Sequence, residues 1–152
     1  MSRLPGIITW RAAIWLAIAL LYAVIWGFAS ISKLQSGVPP WFADKFGGTF
    51  LAKVPGLNAT FWLLTLSELV AFALSLAALL SGEWLARRSP RFLSAALVWS
   101  LFVFIQLGFG QWLTAEFNGA FQQFVYFVGT LVALGQVLPR AAGEGGSDHP
   151  AR

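Results

Sequence analysis

The amino-acid sequence predicts an all-α integral membrane bundle of four transmembrane helices, with an interfacial aromatic segment between the first and second. Three observations carry this reading. Of the 152 residues, 58% are hydrophobic and only 11% charged, whereas a soluble domain of this size carries roughly 25% charge. Four apolar stretches each reach the ~20 helical residues needed to cross about 30 Å of hydrocarbon. The ten Lys and Arg residues flank those stretches and form no run, which is a pattern of membrane topology and argues against nucleic acid as a partner. Backbone amides cannot be left unpaired in lipid, so stretches of this length must be helices rather than open strands.

The first span runs over 12–31 and contains no charge. Ala19, Ala23 and Gly27 recur on it every four residues, a spacing that lets helices approach closely. A secretory signal peptide competes for this stretch, with Gly27-Phe28-Ala29 as its cleavage-like spacing. The apolar run is longer than a signal core, however, and the stretch is read as a span.

A connection of 28 residues, 32–59, follows. Pro40 suits the first position of a helix, and Phe42, Phe46 and Phe50 share a face at i, i+4, i+8, interrupted at Gly47-Gly48 and ended by Pro55-Gly56. With Trp41 this segment is expected to lie flat at the interface, its aromatics in the lipid headgroups or over the mouth of the bundle.

The second span, 60–81, contains one charge, Glu68. Thr65, Ala71, Ser75 and Ala78 lie on its face, a small and weakly polar stripe that predicts the interhelical side, whereas Leu63, Leu66, Leu69 and Leu76 occupy other faces. The third span, 92–112, and the fourth, 117–138, carry no charge, and Gly129 and Ala133 repeat the small-residue spacing on the fourth. Linkers of about ten and four residues after the second and third spans predict an up-and-down series. The whole forms one membrane domain over 1–140, followed by a disordered cytoplasmic tail, 141–152.

Orientation follows from the positive charges. Arg3, Arg11, Arg87, Arg88, Arg91, Arg140 and Arg152 fall on one side and Lys33, Lys45 and Lys53 on the other, which predicts both termini in the cytoplasm. Trp10 and Trp84 then lie near the inner span ends, and Trp41, Trp62 and Trp112 near the outer ends. Trp15, Trp26 and Trp99 lie deeper, as packing or pocket residues.

An ionisable residue in a span costs about 2.5–3.5 kcal/mol on insertion scales and faces the bundle interior or a polar cavity, with a partner. Lys33 lies at the outer end of the first span, one turn beyond Ser30, and its flexible stem can reach inward. Gln106 on the third span, and Gln122 and Tyr126 four apart on the fourth, lie at a similar depth. A cluster of Lys33, Glu68, Gln106, Gln122 and Tyr126 in the outer leaflet offers one acid, one base and several hydrogen-bonding groups. It suits the oxygens of a quinone or the head of a lipid. The same residues also suit a network that fixes helix register or, less well, a proton path. The inventory for catalysis is thin: there is no cysteine, and the single histidine, His149, lies in the tail, so no metal centre or thiol chemistry is expected from this chain.

The run from Phe28 to Leu34, ending in Lys33-Leu34, resembles the Gly-x-x-Lys-Leu signature of the DoxX family of small four-span membrane proteins, with Ala29 or Ser30 in place of the glycine. Trp41 to Leu51 followed by Pro55-Gly56, Ser67-Glu68-Leu69, and Phe124 to Leu131 are similar to one branch of that family, and the resemblance covers about 12–138. It implies a four-helix bundle in the bacterial cytoplasmic membrane, associated with quinone-linked redox systems such as the membrane part of thiosulfate:quinone oxidoreductase. Lys33 and Glu68 match the family's recurrent polar residues. On this reading the chain is an accessory quinone- or lipid-interacting subunit of a larger membrane redox complex, with any electron-transfer centre held by a partner. A purely structural subunit and a proton or small-molecule transporter stand as alternatives.

Overall fold

The computed structural model describes residues 10–85 and 89–138. The predicted tail, 141–152, and Arg3, Arg87, Arg88, Arg140 and Arg152 of the charge balance lie outside the described residues. The described chain is helical: α1 (Trp10–Ser36), a short α2 (Pro40–Phe46), α3 (Leu57–Leu80), α4 (Arg91–Leu113) and α5 (Phe117–Val137), with single 3-10 turns at Phe50–Ala52 and Glu83–Leu85. The four long helices are each long and apolar enough to cross a membrane. They form an all-α bundle in which α1 packs on α3, α3 on α4 and α4 on α5.

The helices follow the apolar stretches that predict them to within a few residues at each end. The first extends five residues past Ile31, because Ser32 to Ser36 contains no breaker and polar side chains are tolerated where a helix leaves lipid. It stops at Gly37, whose φ of +65° is open to glycine without steric cost and whose N–H returns to the Lys33 carbonyl at 2.9 Å. Pro40 then opens α2 at its first turn, where a missing N–H costs nothing.

At the other end of the bundle, α4 starts after Pro90. Its first amides are met by Glu83, a buried residue whose carboxylate accepts from the N–H of Phe92 at 3.0 Å and of Leu93 at 2.9 Å. A carboxylate suits the positive end of a helix, and here it takes two donors that lipid could not satisfy.

Helix association in lipid has no hydrophobic driving force between helices, so packing and hydrogen bonds decide it. The core is aromatic and small by turns: Trp15, Ala19, Tyr22 and Trp26 of α1 against Ala71 and Ala78 of α3, Leu93, Leu97, Val103 and Phe104 of α4, and Val137 of α5. Gly27 receives the ring of Phe72, whose Cε2 would lie 2.9 Å from a Cβ placed there. Gly129 behaves differently, since a Cβ there would meet nothing within 4 Å. It is exposed, whereas Ala133 packs against the buried core, so the two small residues of the fourth span do not form one close-approach face.

Three hydrogen bonds tie α1 across the bundle. Trp26 Nε1 donates to Ser100 Oγ at 2.8 Å, Tyr22 Oη and Thr130 Oγ1 are hydrogen-bonded at 2.6 Å, and Trp15 Nε1 donates to the Gln136 carbonyl at 3.2 Å. Such bonds average about 0.6 kcal/mol each in a membrane bundle, so they select one rotation of α1 and leave most of the binding to packing.

Candidate functional site

The stripe predicted for the second span is its buried face. Thr65, Glu68, Ala71, Ser75 and Ala78 are all buried, while Leu63, Leu66 and Leu76 are exposed. Thr65 and Ser75 donate to the carbonyls four residues back, at 2.8 Å each. They therefore present no orphan donor, and Glu68 is the polar group of this face that requires a partner from another helix.

Lys33 supplies that partner. Glu68 lies about 16 Å along α3 from Leu57, with its carboxylate 1% exposed. The Lys33 ammonium reaches it from α1 and donates to Oε1 at 2.7 Å and to Oε2 at 2.6 Å, keeping 24% of its own side chain exposed. The long apolar stem lets a lysine near a helix end place its charge at this depth.

The exposed part of Lys33 faces a cleft of about 610 Å³, inside the ~300–1,000 Å³ range of small-molecule sites. Its walls come from α3 (Phe61, Leu64 and Ser67 among them) and α4 (Gln106, Leu107, Phe109 and Gln111), and α2 lies over its end. Phe42 and Phe46 of α2 turn inward and are buried, with ring centroids of Phe42 4.7 Å from Phe46 and 5.3 Å from Phe61. Phe50 points away, half exposed, with its ring 6.2 Å from Phe109. Of the two placements open to the connecting segment, its aromatics thus take the mouth of the bundle for Phe42 and Phe46, because a four-helix end leaves apolar side chains of α3 and α4 to be covered.

A second lysine holds α2 in place. Lys45 Nζ lies 2.9 Å from Glu116 Oε2 and 3.2 Å from Gln111 Oε1, tying α2 to the α4–α5 turn. Beyond the inner part of the cleft, Trp99 Nε1 donates to the Ser67 carbonyl at 2.9 Å, clamping α3 to α4.

Of the five residues predicted for the cluster, the structure brings Lys33, Glu68 and Gln106 to one place. Lys33 and Gln106 line the cleft, and Glu68 lies behind Lys33. Gln122 and Tyr126 do not join them. Gln122 is exposed on the outer side of α5, and Tyr126 is 52% exposed with its ring 5.7 Å from that of Phe104. The rotation of α5 is the reason: it turns Gln123, next to Gln122, toward α4, where the Gln123 Cβ lies 3.5 Å from a Cβ placed on Gly108.

Lys45, Gln111 and Glu116 are the residues of this region that sequence reasoning passes over. Lys45 beside an aromatic run was a visible signal, whereas its pairing with Glu116 depends on how α2 folds back.

Chemically the site offers a charge-neutral ion pair, a free amide and aromatic walls. Gln106 is exposed on the wall, and its side chain makes no hydrogen bond among the described residues. No cluster of three or more His, Cys, Asp or Glu suited to a metal is found among the described residues. Compared with protein-family models, curated proteins and solved structures, the chain matches none.

Proposed function

We propose that this chain is a DoxX-like accessory subunit of a membrane redox complex, and that the cleft beneath α2 holds the head of a quinone or a lipid. One observation carries the reading: the buried Lys33–Glu68 pair opens, through Lys33, onto a walled cleft of small-molecule size that also contains an unpartnered amide, Gln106. A pair that served only to join α1 to α3 needs neither feature. The quinone and the redox partner come from the resemblance of Lys33-Leu34 and Ser67-Glu68-Leu69 to the DoxX pattern. The positive-charge balance supports both termini in the cytoplasm and the cleft in the outer leaflet, and the bacterial inner membrane comes from the same DoxX resemblance. Binding rather than catalysis is the role assigned to this chain, since the described residues lining the cleft include no thiol or imidazole to act as nucleophile or tunable base.

The engagement of both Glu68 oxygens by Lys33 also favours a second reading, a structural subunit in which the pair fixes helix register. Saturable quinone binding to the protein in nanodiscs separates the two. The ligand reading expects Gln106→Ala and Glu68→Ala to weaken binding about ten-fold or more while a lipid-facing change, Leu131→Ala, does not. Equal effects of all three would sink it.

A further inference from the structure

The lysines on the cleft wall are each matched by a carboxylate set behind them. Among the described residues lining it the cations are Lys33 and Lys45. Lys33 is held by Glu68 at 2.6 Å and Lys45 by Glu116 at 2.9 Å. An anionic head could gain Lys33 only by drawing it from Glu68, which would strand a carboxylate that is almost wholly buried and has no other partner among the described residues; such uncompensated burial is strongly unfavourable. Gln106 in contrast presents a free amide, which donates and accepts without charge.

The apolar surroundings give the direction of approach. Phe42 and Phe46, packed on Phe61 and Leu51, cover the end of the cleft. Between α3 and α4 the wall carries Leu63 and Phe109, both large, apolar and exposed. An apolar chain leaving the cleft sideways between them stays in hydrocarbon, whereas one leaving past α2 must displace buried aromatics.

We propose that the cleft selects a molecule with an uncharged, hydrogen-bonding head on an apolar chain, admitted laterally from the bilayer between α3 and α4. This rests on the reading of the cleft as a ligand site and narrows it by charge and by route. Glu116 is a specificity-determining residue in this account, because it neutralises Lys45 from outside the cleft.

The test uses the full chain in phosphatidylcholine nanodiscs and three probes, corrected for partition into empty nanodiscs: a decyl-substituted benzoquinone, decyl phosphate, and the same benzoquinone without its chain. The decyl quinone should bind roughly ten-fold or more tightly than either of the others. Glu116→Gln, an exposed change that frees Lys45, should raise decyl phosphate binding by about three-fold, and Leu131→Ala should change nothing. Decyl phosphate binding as well as the decyl quinone to the unmodified protein overturns the charge selection, and equal binding of the chainless quinone overturns the lateral route, with the ligand site itself still standing. Saturable binding of none of the three overturns the ligand site and this inference with it.

Discussion

Lys33 and Glu68, 35 positions apart in the chain, meet through two hydrogen bonds of 2.6 and 2.7 Å and join α1 to α3 inside the bundle. The carboxylate is buried and the ammonium is partly open to the cleft, so the two ends of the pair are not equivalent. Removing the lysine strands a buried charge, whereas removing the carboxylate leaves a lysine that can turn its charge outward.

The pair should therefore show asymmetric energetics. Lys33→Met is expected to lower stability by about 3 kcal/mol, the lower end for breaking a buried pair because Lys33 keeps some exposure. Glu68→Leu should cost less, and the double variant less than the sum of the singles. Unfolding in mixed micelles, followed by tryptophan fluorescence, checks this; additive losses would show that the two side chains do not depend on each other.

Glu83 closes the start of α4. Glu83→Ala leaves the amides of Phe92 and Leu93 without their acceptors and should cost about 1–2 kcal/mol, as for loss of a helix cap. Hydrogen exchange at those two amides should accelerate while mid-helix amides near Ser100 stay protected. Unchanged exchange at Phe92 and Leu93 would remove Glu83 from this role.

Gly27 and Phe72 set the distance between α1 and α3. A methyl group at Gly27 would press on the Phe72 ring at 2.9 Å, so Gly27→Ala should destabilise by about 1–3 kcal/mol, as for overpacking. Phe72→Ala in the same chain should return part of that loss, since the two changes share one contact. A Gly27→Ala protein as stable as the parent would show that Phe72 moves aside freely.

The glutamines differ in the same way. Gln106→Ala should weaken ligand binding about ten-fold, and Gln122→Ala and Tyr126→Phe should leave it unchanged, because neither lines the cleft. Equilibrium binding of one amphiphilic probe to all three variants decides the matter, and a loss at Gln122 equal to that at Gln106 would contradict the geometry.

These contrasts mark what the sequence makes legible. Four spans follow from apolar length alone, since lipid admits no other backbone solution. The inward face of α3 follows too, because Glu68 singles out its own stripe of Thr65, Ala71, Ser75 and Ala78. The ends of α1 were less visible, as hydropathy marks where lipid stops and helix geometry continues to Ser36. The rotation of α5 was not legible from its glutamines: Gln122 and Gln123 are adjacent, so they project about 100° apart on the helix, and their polarity alone does not tell which of the two turns inward. Nor does the local pattern around Phe42 and Phe46 tell lipid from protein as the apolar surface they cover.

Whether the cleft holds a small molecule is decided by mass spectrometry of the tagged protein released gently from its own membrane. Near-stoichiometric retention of an uncharged, chain-bearing molecule, lost in Gln106→Ala and Glu68→Ala but kept in Leu131→Ala, is the predicted result. A fixed protein partner with no such molecule bound, unchanged by any of these substitutions, would contradict it and leave Lys33 and Glu68 as a pair that holds two helices together.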